Sequence, residues 1–445
     1  MAVKQTEQPM SSTPAGMRRS VSASIAGKAA EILTLALLAT VVPRVLGPAD
    51  YGRFSVPLTI VTLGSLAMTL GGPTLMARYV PAAPAGERVA LATAIGARLA
   101  VGRSAQLGGL AVLGAGLVAW NADAFPPVDT GLVFLALALN VGATLALQVG
   151  LGLGRTVAWS IRYPIQNAAL IATVLLLHES AGSTGGVVAI AIAGAAGAAF
   201  AAAVVVPIVR PPSPRVPVPD GAIRFGVHQA AGAALMQFCH RGGVLVVAIL
   251  GTSATETGYV ALATGIALGA TYAVLQMFTV SLTHLSATDG TPGEPVAGAE
   301  SVLRRLAWMV WAVLAVGGLA GAVVIDEVIP VLFGDGYEDA AAAFGPAFGL
   351  LVLAPLYSLT VQSAALRYRP EAATASGVAA VVVFLTVSAA TVPAWGAEGG
   401  TSAALAGAAA GGLVGMRMLP GAVGTRLGGA SYAAAAVVAI VAVLA

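Results

Sequence analysis

The chain has 445 residues, of which 58% are apolar and only 9% charged, and its net charge is +3. Apolar runs of roughly 18 residues or more recur along the whole length, and each can cross a hydrocarbon core of ~30 Å. This composition excludes a soluble globular protein and predicts an all-α polytopic membrane protein. The single cysteine, Cys239, excludes both a disulfide framework and a thiolate metal site.

The hydrophobic pattern predicts about thirteen membrane spans after a polar cytoplasmic tail of residues 1–24. The spans cover residues 25–46, 54–77, 90–119, 130–153, 158–177, 184–209, 225–250, 257–284, 303–325, 341–366, 372–392, 399–416 and 428–445. The last of these is an extra span at the C-terminal end.

The distribution of arginine predicts the orientation of the spans. Every second loop carries arginine, as in the loop with Arg155 and Arg162. The loops between them carry acidic residues and no Lys or Arg, apart from the first turn with Arg44 and Arg53. Because cytoplasmic loops are enriched in Lys and Arg, the N-terminus is predicted to be cytoplasmic.

A proline-rich, basic linker divides the chain into two halves. Residues 210–224 form this predicted cytoplasmic linker between residues 25–209 and residues 225–418. The halves also echo each other, since the segment 46–52 (LGPADYG) resembles the segment 250–259 (LGTSATETGY). Six spans in each half predict two six-helix bundles as a parallel internal repeat, with a central cavity between them.

The segment 43–54 (PRVLGPADYGRF) joins the first two spans. Gly47 can take the left-handed conformation that ends a helix, and Pro48 cannot continue that helix. Asp50 suits the positive N-terminal end of a new helix. The segment therefore predicts a tight turn between two membrane-spanning helices.

The seventh span contains the main candidate site, formed by Gln237, His240 and Arg241. Their i, i+3, i+4 spacing predicts one shared helical face. Ionisable residues inside a span are costly and usually face a cavity, and arginine binds phosphate with a bidentate fork. The pattern predicts a cationic substrate site, with hydrogen bonding between helices as the alternative.

Two further cations are candidates for the cavity wall. Lys28 lies one turn from Glu31 in the first span, and the pair is predicted at the cytoplasmic mouth, with a surface ion pair as the alternative. Arg103 in the third span would extend a basic lining, unless it reaches the inner headgroups.

Three segments carry a resemblance to a known family. They are Pro43 with Leu46-Gly47-Pro48, Tyr51-Gly52 and Phe54, followed by Arg78; Val331-Leu332-Phe333-Gly334 with Tyr337 and Ala340; and Trp395-Gly396-Ala397-Glu398-Gly399-Gly400. In these segments the chain resembles the polysaccharide transporter family of the multidrug/oligosaccharidyl-lipid/polysaccharide exporter superfamily.

The resemblance implies two six-helix bundles around a cavity that opens to either side alternately. It also implies a polyprenyl-pyrophosphate-linked oligosaccharide as cargo. One departure concerns the seventh span, where the family often has an Asp-Arg pair and this chain has His240-Arg241. Without the aspartate, Arg241 is either freer for substrate or paired differently.

The predicted function is translocation of this lipid-linked oligosaccharide across a bacterial inner membrane, for cell-surface polysaccharide biosynthesis. The expected partners are the glycan lipid, membrane lipids and other polysaccharide-assembly proteins, without nucleic acid, cofactor or metal. The sequence contains no Walker A motif, no H-E-x-x-H and no nucleophile elbow, so an enzyme is not expected.

Two alternatives remain open from the sequence. An ion-coupled multidrug/cation antiporter of the same superfamily would favour a buried carboxylate, for which Glu31 alone qualifies. A membrane-embedded glycan polymerase or ligase would need a large outer loop with catalytic residues, whereas the predicted outer loops are mostly short.

Overall fold

The computed structural model describes residues 14–69, 71–120, 126–209, 216–250, 253–289, 299–421 and 424–444. The helices are α1 (Pro14–Ala67), α2 (Gly72–Tyr79), α3 (Arg88–Trp120), α4 (Pro127–Gly152), α5 (Thr156–Val209), α6 (Ala222–Ile249), α7 (Ala254–Asp289), α8 (Ala299–Phe333), α9 (Ala341–Leu366), α10 (Pro370–Met418) and α11 (Thr425–Leu444). Two short 3-10 helices cover Ala85–Glu87 and Asp335–Ala340. Within the described ranges, ten helical segments are long and apolar enough to cross a membrane, which confirms a multi-pass, all-helical protein.

Three helices are much longer than one membrane crossing. α1, α5 and α10 contain 54, 54 and 49 residues, or about 75–80 Å at 1.5 Å per residue, against a hydrocarbon core of about 30 Å. α1 is broken at Gly47 (φ 72°, ψ 167°) and α10 at Gly396 (φ 50°, ψ −119°). The predicted helix break at Gly47 is present, and its positive φ favours glycine.

The second predicted span, residues 54–77, is interrupted in the structure. α1 ends at Ala67, and the chain turns through Gly71 (φ 70°) before α2 begins at Gly72. The apolar pattern continues across this turn, so hydropathy alone does not reveal it.

The polar tail and the linker are partly helical. α1 already begins at Pro14, so residues 14–24 of the predicted tail are helical, and residues 1–13 lie outside the described residues. In the predicted linker, residues 216–221 are non-helical, but α6 begins at Ala222. Residues 210–215 of the linker lie outside the described residues.

α9 occupies the centre of the part of the molecule that follows the linker. All of its residues from Ala343 to Leu366 are buried. A helix that is apolar and buried all round must be enclosed by other helices. α9 contacts α6, α7, α8, α10 and α11, so it organises this part of the fold.

The two echoed segments contact each other at one end of the molecule. A Cβ added to Gly52 in α1 would lie 1.9 Å from the carbonyl oxygen of Ala254, at the start of α7. A Cβ added to Gly258 would lie 2.1 Å from the carbonyl oxygen of Pro48. The contact is reciprocal, and only glycine fits at either position. We call this backbone contact the Gly52–Gly258 crossing.

The segment 331–337 packs against the same end. The Tyr337 hydroxyl donates a hydrogen bond of 3.0 Å to the Pro43 carbonyl, and the Tyr259 hydroxyl donates one of 3.1 Å to Gly336. Arg44 donates to the carbonyl of Val331 at 3.1 Å. Two of the sequence motifs that carry the family resemblance are therefore neighbours in space.

Other residues on either side of the linker meet at the opposite end. A Cβ added to Gly71 would lie 2.0 Å from the carbonyl oxygen of Gly226 in α6. The ring centroid of Tyr79 lies 6.0 Å from those of Phe225 and Tyr368. The described residues before and after the linker thus touch at both ends, and the space between these contacts contains the cavities.

Candidate functional site

A cavity of about 230 Å³ lies between the helices that precede the linker and those that follow it. α1, α2, α4 and α5 form most of its wall, and α6 and α9 complete it. Its polar lining residues are Thr62, Ser65, Thr69, Thr74, Asn140, Thr144, Arg162, Tyr163, Gln166, Asn167, Gln229 and Gln362. Among the lining residues, all in the described part of the chain, Arg162 is the one charged side chain. We call this space the first cavity.

Arg162 is held in α5 by two aromatic rings and is only 6% exposed. Its guanidinium carbon lies 3.4 Å from the ring centroid of Trp159 and 4.3 Å from that of Tyr163. Its Nη2 donates a hydrogen bond of 2.8 Å to the Tyr163 hydroxyl. Within the described chain, Nε and Nη1 have no hydrogen-bond partner. Cation–π contacts hold the guanidinium without neutralising it, so the wall of the first cavity carries a positive charge at Arg162.

The sequence does not single out Arg162 as a site residue, because the arginine pattern counts it with Arg155 in a cytoplasmic loop although the predicted span 158–177 includes it. α5 begins at Thr156, which puts Arg162 nearly two turns inside the helix. The sequence does carry a signal, since Trp159, Arg162 and Tyr163 have the i, i+3, i+4 spacing of one helical face.

A second cavity of about 90 Å³ lies between α1, α6 and α7. Arg241 lines it, together with the polar residues Tyr51, Ser55, Thr59 and Thr264. Arg241 is the one charged residue among the described residues of this lining. We call this space the second cavity.

The structure separates the three predicted site residues of the seventh span. His240 is buried, with its ring centroid 5.5 Å from that of Tyr357 in α9. Gln237 is also buried, and neither it nor His240 lines either cavity. Adjacent residues of a helix point about 100° apart, so His240 can face α9 while Arg241 faces α1 and α7.

Arg103 has a different environment from the predicted cavity wall. Its Nε donates to the Met68 carbonyl at 2.8 Å, and its Nη2 donates to the Thr69 carbonyl at 2.6 Å and to Gln148 Oε1 at 2.8 Å. These carbonyls belong to the turn that ends α1, where a cation also complements the helix dipole. Arg103 lines neither cavity, and its contacts suit a structural role.

The remaining predicted pair lies in the first part of α1. The side chain of Lys28 lies outside the described residues. Glu31 is buried and lines neither cavity. Glu31 is therefore a buried carboxylate in the first half of α1.

No protein-family model matches the chain, and no curated protein matches it in sequence. Solved structures match its fold. The Vibrio cholerae MATE transporter VcmN is 14% identical, with a TM-score of 0.59 over 91% of this chain and 97% of that one. A multidrug resistance MATE family transporter of the MOP superfamily, in an outward-facing conformation, is 16% identical, with a TM-score of 0.62 over 90% and 94%. A eukaryotic MATE transporter is 14% identical, with a TM-score of 0.60 over 95% and 98%.

These matches extend over nearly the whole length of both chains. At 14–16% identity they show the fold and leave the substrate open. Their descriptions agree with the alternative of a multidrug antiporter and give no support to a polysaccharide flippase. The chain has the fold of the MATE transporters of the MOP superfamily.

Proposed function

We propose that this protein is a transporter for an anionic, glycan-bearing lipid. The substrate class is a polyprenyl-pyrophosphate-linked oligosaccharide, moved from the inner to the outer leaflet by alternating access. One observation carries the proposal: the first cavity presents the Arg162 guanidinium and, among the described residues of its lining, no carboxylate.

The charge of Arg162 favours an anion over an organic cation. Two unit charges 4 Å apart interact with about 4 kcal/mol at the effective dielectric constant of 20 that suits such sites. That interaction attracts a pyrophosphate and repels a cationic drug. Without a carboxylate in the described lining, nothing there offsets the repulsion of a cation.

The amides and hydroxyls of the first cavity suit a sugar. Asn140, Gln166 and Asn167 stand on α4 and α5, and Gln166 donates to Asn140 Oδ1 at 2.8 Å. Amides offer both donors and acceptors, as sugar hydroxyls require. Ligand pockets typically measure about 300–1,000 Å³, so the 230 Å³ first cavity is sized for the pyrophosphate and its nearest sugar, with the prenyl chain in the bilayer and the rest of the glycan outside the cavity.

We also infer thirteen crossings arranged as two six-helix bundles plus α11, with a cytoplasmic N-terminus. Counting α1, α5 and α10 as two crossings each, and leaving out the eight-residue α2, gives the predicted number. The reciprocal Gly52–Gly258 crossing supports a repeat, since equivalent positions of two related units meet there. The alternation of arginine-bearing and acidic loops supports the orientation, and a bacterial inner membrane is proposed from the family resemblance.

A multidrug/cation antiporter is the second candidate, and two observations favour it. The solved structures with this fold include multidrug transporters. Glu31 is a buried carboxylate in α1, which suits the coupling of a cation or proton. This candidate predicts that a cationic dye binds and that Glu31→Gln abolishes its transport.

The deciding experiment measures binding to the full chain in detergent. The probe is geranylgeranyl pyrophosphate, with uncharged geranylgeraniol as its control. Trp159 is the reporter, with the other four tryptophans replaced by phenylalanine, because its ring stacks on Arg162. Arg162→Ala should weaken pyrophosphate binding about 10- to 150-fold, the equivalent of a charged hydrogen bond worth 1.5–3 kcal/mol.

Two variants make this result specific. Arg162→Lys keeps the charge and should retain part of the affinity, whereas Arg155→Ala removes an exposed arginine one residue before α5 and should change nothing. Equal affinity of Arg162→Ala and the unaltered protein contradicts the proposal. Tight binding of a cationic dye without binding of the pyrophosphate probe supports the antiporter instead.

A further inference from the structure

We infer that the second cavity is a second anion-binding station and that Leu58 separates it from the first cavity. The inference rests on the proposed function, because it assumes an anionic headgroup in the first cavity. It adds a position through which that headgroup passes and a residue that controls the passage.

The two cavities follow each other along the same helices. In α1, residues from Leu35 to Val42 and from Tyr51 to Thr59 line the second cavity, and residues from Leu58 to Leu66 line the first. In α6, Ala233 lines the first cavity and Arg241 the second, and these residues are about 12 Å apart at 1.5 Å per residue. Leu58 is the residue that lines both cavities.

Each cavity offers one arginine. An anion that left Arg162 and crossed an apolar stretch alone would lose its charge partner in a region of low dielectric constant, which is costly. Arg241 supplies a second cation beyond Leu58. The spacing therefore allows the anion to be transferred from one guanidinium to the next.

The backbone beside Leu58 is suited to movement. Pro57 lies inside α1, and proline cannot donate the helical hydrogen bond to the carbonyl of residue 53. A missing bond of this kind allows a helix to bend locally. A small bend at Pro57 would displace the Leu58 side chain and join the two cavities.

The backbone contacts at the two ends of the molecule each lie beside one of the cavities. Ser55 in the second cavity is one turn from Gly52, so the Gly52–Gly258 crossing lies beside the second cavity. Thr74 and Gly71 of the first cavity lie beside the contact between Gly71 and Gly226. Opening one end would expose the first cavity, and opening the other would expose the second.

The experiment measures protection of one introduced thiol in each cavity. Cys239→Ala removes the one native cysteine, and Ser65→Cys or Ser55→Cys then reports on the first or the second cavity. The full chain in proteoliposomes is treated with a methanethiosulfonate reagent, with geranylgeranyl pyrophosphate as the protecting probe and geranylgeraniol as its control. Because one headgroup occupies one station at a time, the pyrophosphate should slow modification about twofold at each position if it divides its time equally between them.

Substitutions at Arg241 and Leu58 test the second station and the passage that leads to it. Arg241→Gln should remove protection of Ser55→Cys and leave protection of Ser65→Cys intact. Leu58→Trp should likewise remove protection of Ser55→Cys alone, because the larger side chain blocks passage of the headgroup between the cavities. Leu58→Ala is its control and should keep protection at both positions, which shows that the site tolerates substitution.

Other results would overturn either the second station or the proposed function. Protection of Ser55→Cys that survives both Arg241→Gln and Leu58→Trp overturns the second station, and so does a Ser55→Cys thiol that never reacts. Protection at neither position overturns the proposed function itself, so the two failures are distinguishable.

Discussion

Replacing Gly52 by alanine tests whether the Gly52–Gly258 crossing closes one end of the molecule. The added Cβ would lie 1.9 Å from the Ala254 carbonyl oxygen and 2.9 Å from the Gly258 nitrogen, whereas ordinary contacts measure 3.4–4 Å. Both neighbours are backbone atoms, so a rotamer change cannot relieve the clash. α1 and α7 would have to separate by about 1.5 Å in this closed arrangement.

The added methyl group should raise the free energy of the closed arrangement by the cost of overpacking, about 1–3 kcal/mol. If this end opens during transport, the open arrangement escapes the penalty, and the ratio of open to closed molecules rises roughly 5- to 150-fold. The variant should therefore change a conformational equilibrium more than it changes folding.

The assay is the rate of thiol modification of Ser55→Cys in the Cys239→Ala background, measured together with the unfolding temperature. Gly52→Ala should raise the modification rate by the factor given above. Gly116→Ala in α3 is the matched control, because nothing lies within 4 Å of its added Cβ. Equal modification rates in the two variants, at equal unfolding temperatures, would refute the idea that this crossing closes the end.

Two further predictions concern structural contacts. Arg103→Gln should lower the unfolding temperature, because the Met68 and Thr69 carbonyls lose charged donors worth about 1.5–3 kcal/mol each. The affinity for geranylgeranyl pyrophosphate should stay unchanged. A loss of affinity without a loss of stability would show that Arg103 contributes to binding. Glu256→Ala should lower the free energy of unfolding by about 0.5–2 kcal/mol, because Glu256 Oε2 accepts a 2.7 Å hydrogen bond from the Ala397 nitrogen where α10 restarts after its break. Glu338→Ala, at an exposed position, is the control for the second variant, and equal thermal unfolding curves for the two would contradict the capping role.

The sequence predicts the helical class and the position of the first break because these depend on local properties. Apolar runs have a length that matches a bilayer, and Gly47-Pro48 interrupts a helix wherever it stands. The break in α10 at Gly396 falls in the gap between the predicted spans 372–392 and 399–416, but the sequence does not show the contribution of Glu256, which is far away in the chain. Glu256 bonds the first residue after Gly396, so tertiary contact defines this break.

The candidate site was harder to predict because it depends on which neighbour each helix face meets. His240 and Arg241 are adjacent in sequence, yet His240 faces Tyr357 and Arg241 lines the second cavity. The arginine pattern counts Arg162 with the loop that holds Arg155, although the predicted span 158–177 includes it, because an arginine near a span end has the same hydropathy signal inside or outside the helix. Only the start of α5 at Thr156, and the rings that surround the guanidinium, place it in the first cavity.

The fold alone does not decide between the two candidate substrates. Transporters with this fold include multidrug transporters, and a buried Glu31 is compatible with cation coupling. The first cavity nevertheless offers Arg162 as its charged group within the described lining. The positive charge of Arg162 in this cavity therefore decides between an anionic and a cationic ligand.

The most direct test compares one anionic ligand and one cationic ligand in the same preparation. Titration of the full chain with geranylgeranyl pyrophosphate and with a cationic dye, followed through Trp159 fluorescence, gives both dissociation constants. If the charge of Arg162 selects the ligand, the pyrophosphate binds more tightly than the dye and Arg162→Ala reverses this order. Tighter binding of the dye to the unaltered protein, unaffected by Arg162→Ala, would contradict it.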